Sequence, residues 1–159
     1  MWSGMNLSKK SSGRMAATQG KRKAGILLQN RQRKIRINLS LITHNLVRLE
    51  RIFAKGVHKV NVTLVSDKVI ARLHKEYLGE KRATDVMSFK LGSSSEIVVS
   101  AETAARQAKS FGHTPEEEIF YLIIHGLLHL AGRKDDTEKA RTGMERLQDA
   151  IFERTWKGI

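Results

Sequence analysis

The sequence predicts an α+β domain: a small mixed four-stranded sheet packed with about five helices, one of them buried. Three observations carry this prediction. Short apolar runs of strand type alternate with segments whose apolar residues recur at helical spacing. Cap and turn residues punctuate nearly every boundary. The segment from Ile119 to Leu130 is apolar nearly all round, which suits a helix enclosed by the rest of the fold.

The elements follow in order. Gly25-Ile26-Leu27-Leu28, closed by Gln29-Asn30, reads as a first strand. Leu39, Ile42, Leu46, Leu49 and Phe53 mark a helix, with Ser40 as its expected N-cap and Gly56 as its stop. Val60, Val62 and Leu64 alternate with Asn61, Thr63 and Val65, the period of a strand. Ser66-Asp67 caps a helix that turns Val69, Ile70, Leu73 and Tyr77 inward and ends at Gly79. Asp85 to Phe89 and Glu96 to Val99 are two further strands, joined by Lys90 to Ser95. A helix begins after Ser100 and stops at Gly112.

Thr114-Pro115-Glu116-Glu117 combines an N-cap, a proline suited to the first helical position and a capping-box glutamate. It opens the buried helix, which runs to Gly132. Ala140, Met144, Leu147 and Ile151 give the last, amphipathic helix.

A chain of 159 residues and 18.0 kDa fits one domain. The absence of cysteine excludes a disulfide scaffold, a thiolate zinc finger, an iron–sulfur cluster and a cysteine nucleophile. No apolar run approaches the roughly 20 residues that cross a bilayer, so no membrane partner is expected. The charge is informative: 29 Lys and Arg face 16 Asp and Glu, a net +13. Such an excess favours a polyanionic partner, nucleic acid first. Residues 1–24 hold six of the basic residues and no acid, and are expected to form a disordered basic extension. Their acid-free, Ser- and Arg-bearing composition leaves an organelle transit peptide as a minor alternative to a cytoplasmic location. Residues 25–159 remain basic, at +7, and form the folded domain.

The chemistry concentrates between His125 and Asp135. His125 and His129 stand one helical turn apart, so both imidazoles leave one face, the spacing at which two ring nitrogens bind one metal. Gly132 lets the chain turn, and Asp135 can return a third ligand; Asp136 is the alternative carboxylate. Three protein ligands leave one position open, as in a catalytic rather than a structural site. Two imidazoles and a carboxylate suit zinc, with nickel, cobalt and manganese tolerable. Gly126 stands where the His-Glu-x-x-His metalloproteases carry their general base, which argues against peptide hydrolysis. A glycine inside a buried helix costs about 1 kcal/mol against alanine, a cost that close approach of another backbone or of substrate would explain. Arg82, Arg133 and Lys134 could hold phosphates beside a metal. His44, His58, His74 and His113 read as surface residues.

The run His125-Gly126-Leu127-Leu128-His129-Leu130-Ala131-Gly132 resembles the signature of the YbeY-type endoribonucleases, the bacterial ribosomal-RNA maturation factors. Thr84 to Phe89 is similar to the family's Thr-Asp-Val-Leu-Ser-Phe strand, and Glu96 to Ser100 to its Gly-Asp-Ile-Val-Ile-Ser strand. Asn30 also fits, and the likeness runs from about residue 25 to 155.

Several positions depart from the family. Asp135 stands where a third histidine is common. Leu78 replaces an arginine after the tyrosine, a role Lys81 or Arg82 could take over. Arg133 replaces a tyrosine, and Ser95-Glu96 the Gly-Asp pair.

The resemblance implies a single-strand-specific, metal-dependent endoribonuclease in ribosomal-RNA processing and ribosome maturation, acting on ribosomal RNA with small-subunit components as partners. It implies Ser88 as a catalytic candidate; by their charge, Arg82 is a second catalytic candidate and Lys81, Arg82, Arg133 and Lys134 are RNA-binding candidates. The rival readings are a non-catalytic ribosome-assembly factor with a structural metal, and a zinc peptidase.

Overall fold

The computed structural model describes residues 25–79 and 84–158. The basic extension expected over residues 1–24 lies outside them, as do Lys81 and Arg82.

Strand β1 (Gly25–Asn30) leads into helix α1 (Leu39–Phe53). Strand β2 (Lys59–Val65) and helix α2 (Asp67–Leu78) follow, then strands β3 (Val86–Leu91) and β4 (Ser94–Ser100). Helices α3 (Ala101–Phe111), α4 (Pro115–Leu130) and α5 (Glu138–Thr155) complete the chain. The α+β fold is as the periodicities indicate. The four strands lie in the order β1-β2-β4-β3. β2 runs parallel to β1 and β4, and β3 is antiparallel at the β4 edge.

The alternation along β2 and β4 divides the core between the two faces of the sheet. Val60, Val62, Leu64, Ile97 and Val99 join Ile42, Leu46 and Leu49 of α1 and Ile119, Ile123 and Leu127 of α4 in the larger cluster. Val65 and Val98 meet Met87 of β3 and Ile70 and Leu73 of α2 on the other face. Each fully buried Leu, Ile or Val contributes about 1.5–3 kcal/mol through removal from water. Helix α4 is enclosed by β3, β4, α1, α3 and α5, which is why its sequence is apolar nearly all round.

The capping signals at Ser66, Ser100 and Thr114 form as the sequence indicates, Thr114 and Glu117 closing the full capping box. One cap differs. Asn38, not Ser40, opens α1: its Oδ1 accepts from the Leu41 N–H at 3.1 Å. The helix begins there because the Glu116 carboxylate accepts the Asn38 N–H at 2.8 Å and fixes the entry of the chain. Strands β3 and β4 extend further toward each other than expected, leaving only a tight turn at Gly92 (φ +60°). Tyr77 is also less buried than its helical position indicates, at 39% exposure, because it stacks on Phe89 at the edge of a cleft. Among the described residues, no helix is long and apolar enough to cross a membrane.

Candidate metal centre

Helix α4 ends in a turn that brings three side chains together. The Gly132 N–H donates to the His129 carbonyl at 3.0 Å and the Arg133 N–H to the Leu128 carbonyl at 2.9 Å. This is a Schellman closure, and it needs the left-handed backbone that Gly132 supplies at φ +98°. The chain then doubles back before Thr137 caps α5. Asp135, inside that return, lies over the C-terminal turns of α4.

There its carboxylate meets both histidines. His125 Nε2 and His129 Nε2 are 3.1 Å apart, and Asp135 Oδ2 lies 3.8 Å from the first and 3.4 Å from the second. Ligands held tetrahedrally at 2.0–2.1 Å from a zinc ion are about 3.3–3.4 Å from one another. The three observed separations straddle that value, so the donor set fits a single metal with its fourth side open. Asp136 is exposed and is not part of this group.

His125 is held from behind. Its Nδ1 meets Gln148 Oε1 of α5 at 3.2 Å, and Gln148 Nε2 donates to the Tyr121 carbonyl of α4 at 3.0 Å. Gln148 is 3% exposed. Nothing local in the sequence marks it; its role follows from its position on the inward face of the amphipathic α5.

The group opens into a cleft of about 700 Å³ between α2, β3 and the end of α4. Ser88 lines this cleft together with Lys90, two positions along β3 and therefore on the same side of the strand. Lys90 is a cation that the motif reading missed, although strand alternation from Ser88 points to it. Leu78, at 64% exposure, and Tyr77 form part of the rim. His74 corrects the surface reading: it is 6% exposed and lines the cleft, because the inward face of α2 closes over it. His44 and His58 are exposed as expected, whereas His113 is half-buried, stacked on Phe152 and paired with Glu118 at 3.2 Å. Arg133 and Lys134 are exposed on the return loop and do not line the cleft.

A second cavity of about 460 Å³ reaches His125 and Asp135 from the side of α3 and α5. Its walls include Asp85, Glu118, Glu145 and Arg141. Burial pushes the Glu118 carboxyl above its usual range, the contact with His113 draws it back, and the charge of Asp85 adds to the rise. This side of the centre is therefore acidic and suits a phosphate backbone less well than the side carrying Lys90.

Gly126 lines the cleft, and the close neighbour that accounts for a glycine in this helix is the Ile97 side chain rather than another backbone. A Cβ carbon there would lie 2.9 Å from Ile97 Cδ1 and 3.0 Å from its Cγ2, so α4 approaches β4 through a bare backbone. Glu96 is buried on the opposite face of β4 and accepts from Asn61 Nδ2 at 2.9 Å. Asn30 shapes the turn after β1, its Oδ1 accepting from the Gln32 backbone and side chain.

Known proteins resemble this chain in sequence and fold. The family model described as "Endoribonuclease YbeY" matches residues 27–155. Endoribonuclease YbeY of Desulforamulus reducens is 34% identical over 147 residues, spanning 81% of this chain and 95% of the relative. Its counterpart in Petrotoga mobilis is 39% identical over 103 residues, 62% of this chain and 71% of the relative. A chloroplastic Endoribonuclease YBEY of Arabidopsis thaliana is 39% identical over 111 residues, 63% of this chain and 19% of the longer plant protein. The solution structure of TM1509 from Thermotoga maritima superposes with a TM-score of 0.60 at 31% identity, covering 82% of this chain and 89% of that one. The match spans every strand and helix from β1 to α5, and the chain belongs to the YbeY endoribonuclease family.

Proposed function

We propose that this chain is a metal-dependent, single-strand-specific endoribonuclease of ribosomal-RNA maturation, with one divalent metal, zinc first, held by His125, His129 and Asp135. The observation that carries the reading is the convergence of two imidazole nitrogens and a carboxylate oxygen, all within 4.8 Å of one another, at the mouth of a cleft. Such a metal, when bound, supplies Lewis-acid stabilisation of a phosphoryl oxygen and lowers the pKa of water. Family membership supplies the substrate class, and the surplus of positive charge agrees with it.

The residues of the chain divide the remaining work. Lys90 offers a cation to the RNA backbone on the cleft side, and the exposed Arg133 and Lys134 extend that charge along the return loop. Ser88 presents a hydroxyl within the same cleft, suited to donating to a phosphate oxygen. Lys81 and Arg82, outside the described residues, remain candidates for the phosphate contact that Leu78 cannot make. We place the protein in the cytoplasm, with ribosomal small-subunit components as partners; an organelle location is the alternative.

The test is cleavage of single-stranded RNA by the purified chain, with and without chelator, beside His129→Ala. Cleavage that stops with chelator, returns with zinc and is lost in the variant supports the reading. RNA binding without cleavage in metal-loaded protein would leave the assembly-factor reading in its place. Cleavage of casein but not RNA would leave the peptidase.

A further inference from the structure

We propose that Gln148 is a positioning residue that fixes the tautomer of His125, so that Nε2 faces the metal position as a bare lone pair. The inference rests on the metal-centre reading and goes beyond it to a residue that is itself no ligand. It follows from the two ends of one amide. Gln148 Nε2 lies 3.0 Å from the Tyr121 carbonyl oxygen, which can only accept. The reverse orientation would set two acceptor oxygens against each other in a position 3% exposed, where an unmade hydrogen bond costs about 1–3 kcal/mol. The amide nitrogen therefore faces Tyr121, and Oε1 must face His125 Nδ1, as it does at 3.2 Å. An oxygen there accepts only, so the imidazole carries its hydrogen on Nδ1, and Nε2 is left to donate its electron pair.

The arrangement also fixes the ring's direction. Gln148 is on α5, Tyr121 and His125 on α4, so the pair of hydrogen bonds ties the ring to the packing of the two helices. Among the described residues no comparable side chain meets His129 Nδ1. His125 is thus the ligand whose proton position and orientation the protein sets in advance, and His129 and Asp135 complete the site around it.

Two measurements test this on the full chain. In long-range proton–nitrogen spectra of chelator-treated, unsubstituted protein, neutral His125 should show its hydrogen on Nδ1. A neutral ring with the hydrogen on Nε2 would overturn the proposal, whether or not the centre binds metal. Zinc titration should then show a loss of affinity of about 10–100-fold in Gln148→Leu. Gln148→Glu keeps an acceptor oxygen at Nδ1 but sets its other oxygen against the Tyr121 carbonyl, so it should keep the hydrogen on His125 Nδ1 while losing stability. A folded Gln148→Leu with unchanged zinc affinity and an unchanged His125 tautomer would overturn the proposal. Failure of the unsubstituted chain to take up zinc would overturn the metal-centre reading instead, and the tautomer measurement would still decide the role of Gln148.

Discussion

Gly126 and Ile97 are in contact across the helix–sheet interface, at a distance that leaves no room for a Cβ carbon on the helix. Two of the Ile97 atoms that a methyl group would meet belong to its branch at Cβ, and Ile97 is fully buried, so it cannot simply swing aside. Overpacking of this kind costs about 1–3 kcal/mol, against which alanine regains about 1 kcal/mol of helix propensity. We expect Gly126→Ala to lower stability by up to about 2 kcal/mol in urea unfolding and to weaken zinc binding through displacement of His125. Adding Ile97→Val removes only Cδ1 and should restore part of the loss. A Gly126→Ala protein as stable as the parent would show that the interface is looser than these distances.

Asp67 ties the starts of α2 and α3 together. Its Oδ1 accepts from Ser100 Oγ at 2.5 Å and Thr103 Oγ1 at 2.6 Å, and Arg106 lies 2.8 Å from Oδ2. Burial pushes this carboxyl up, but the hydroxyls and the guanidinium outweigh it and lower its pKa from 3.8 to about 2. A lowered folded value means stability that is present above pH 3.8 and lost as pH falls toward 2. With the side chain partly solvated and Arg106 largely exposed, the contribution is about 1–2 kcal/mol. Asp67→Asn should cost that much at pH 7 and progressively less below pH 4. A difference from the parent that is independent of pH would mean the ionised carboxylate contributes nothing beyond its hydrogen bonds.

The first 24 residues carry six basic side chains and no acid, yet residues 25–159 retain a net charge of +7. Deleting residues 1–24 should leave melting temperature and metal content unchanged and weaken RNA binding at low salt. The truncated chain should keep most of the salt dependence, with a log–log slope near −0.7 per phosphate contact on a single strand. Loss of folding on truncation, or RNA binding indifferent to salt, would contradict this.

Much of the fold is legible in the sequence because local signals agree with one another. The two faces of β2 are written in its alternation, and the start of α4 in four consecutive residues. The His125 and His129 side chains share a direction because helical geometry requires it, and Gly132 marks the turn that returns Asp135. What stayed hidden depends on contacts between distant segments. Asn38, two residues before Ser40, starts α1 because Glu116, 78 residues away, receives its N–H. His74 looks polar and exposed in sequence, but α2 lies with that side over the cleft. Gln148 is an ordinary polar residue on an amphipathic helix until α5 packs on α4 and brings it to His125.

Metal stoichiometry of purified Asp135→Ala, set beside Asp136→Ala and the unsubstituted chain, tests the centre most directly. Asp135 Oδ2 is 3.4 Å from His129 Nε2, whereas Asp136 is exposed and outside the group. We expect about one metal per chain in the parent and in Asp136→Ala, and a marked loss in Asp135→Ala, where two protein ligands remain. Full occupancy in Asp135→Ala with loss in Asp136→Ala would assign the site to the wrong carboxylate, and full occupancy in both would place the third ligand elsewhere.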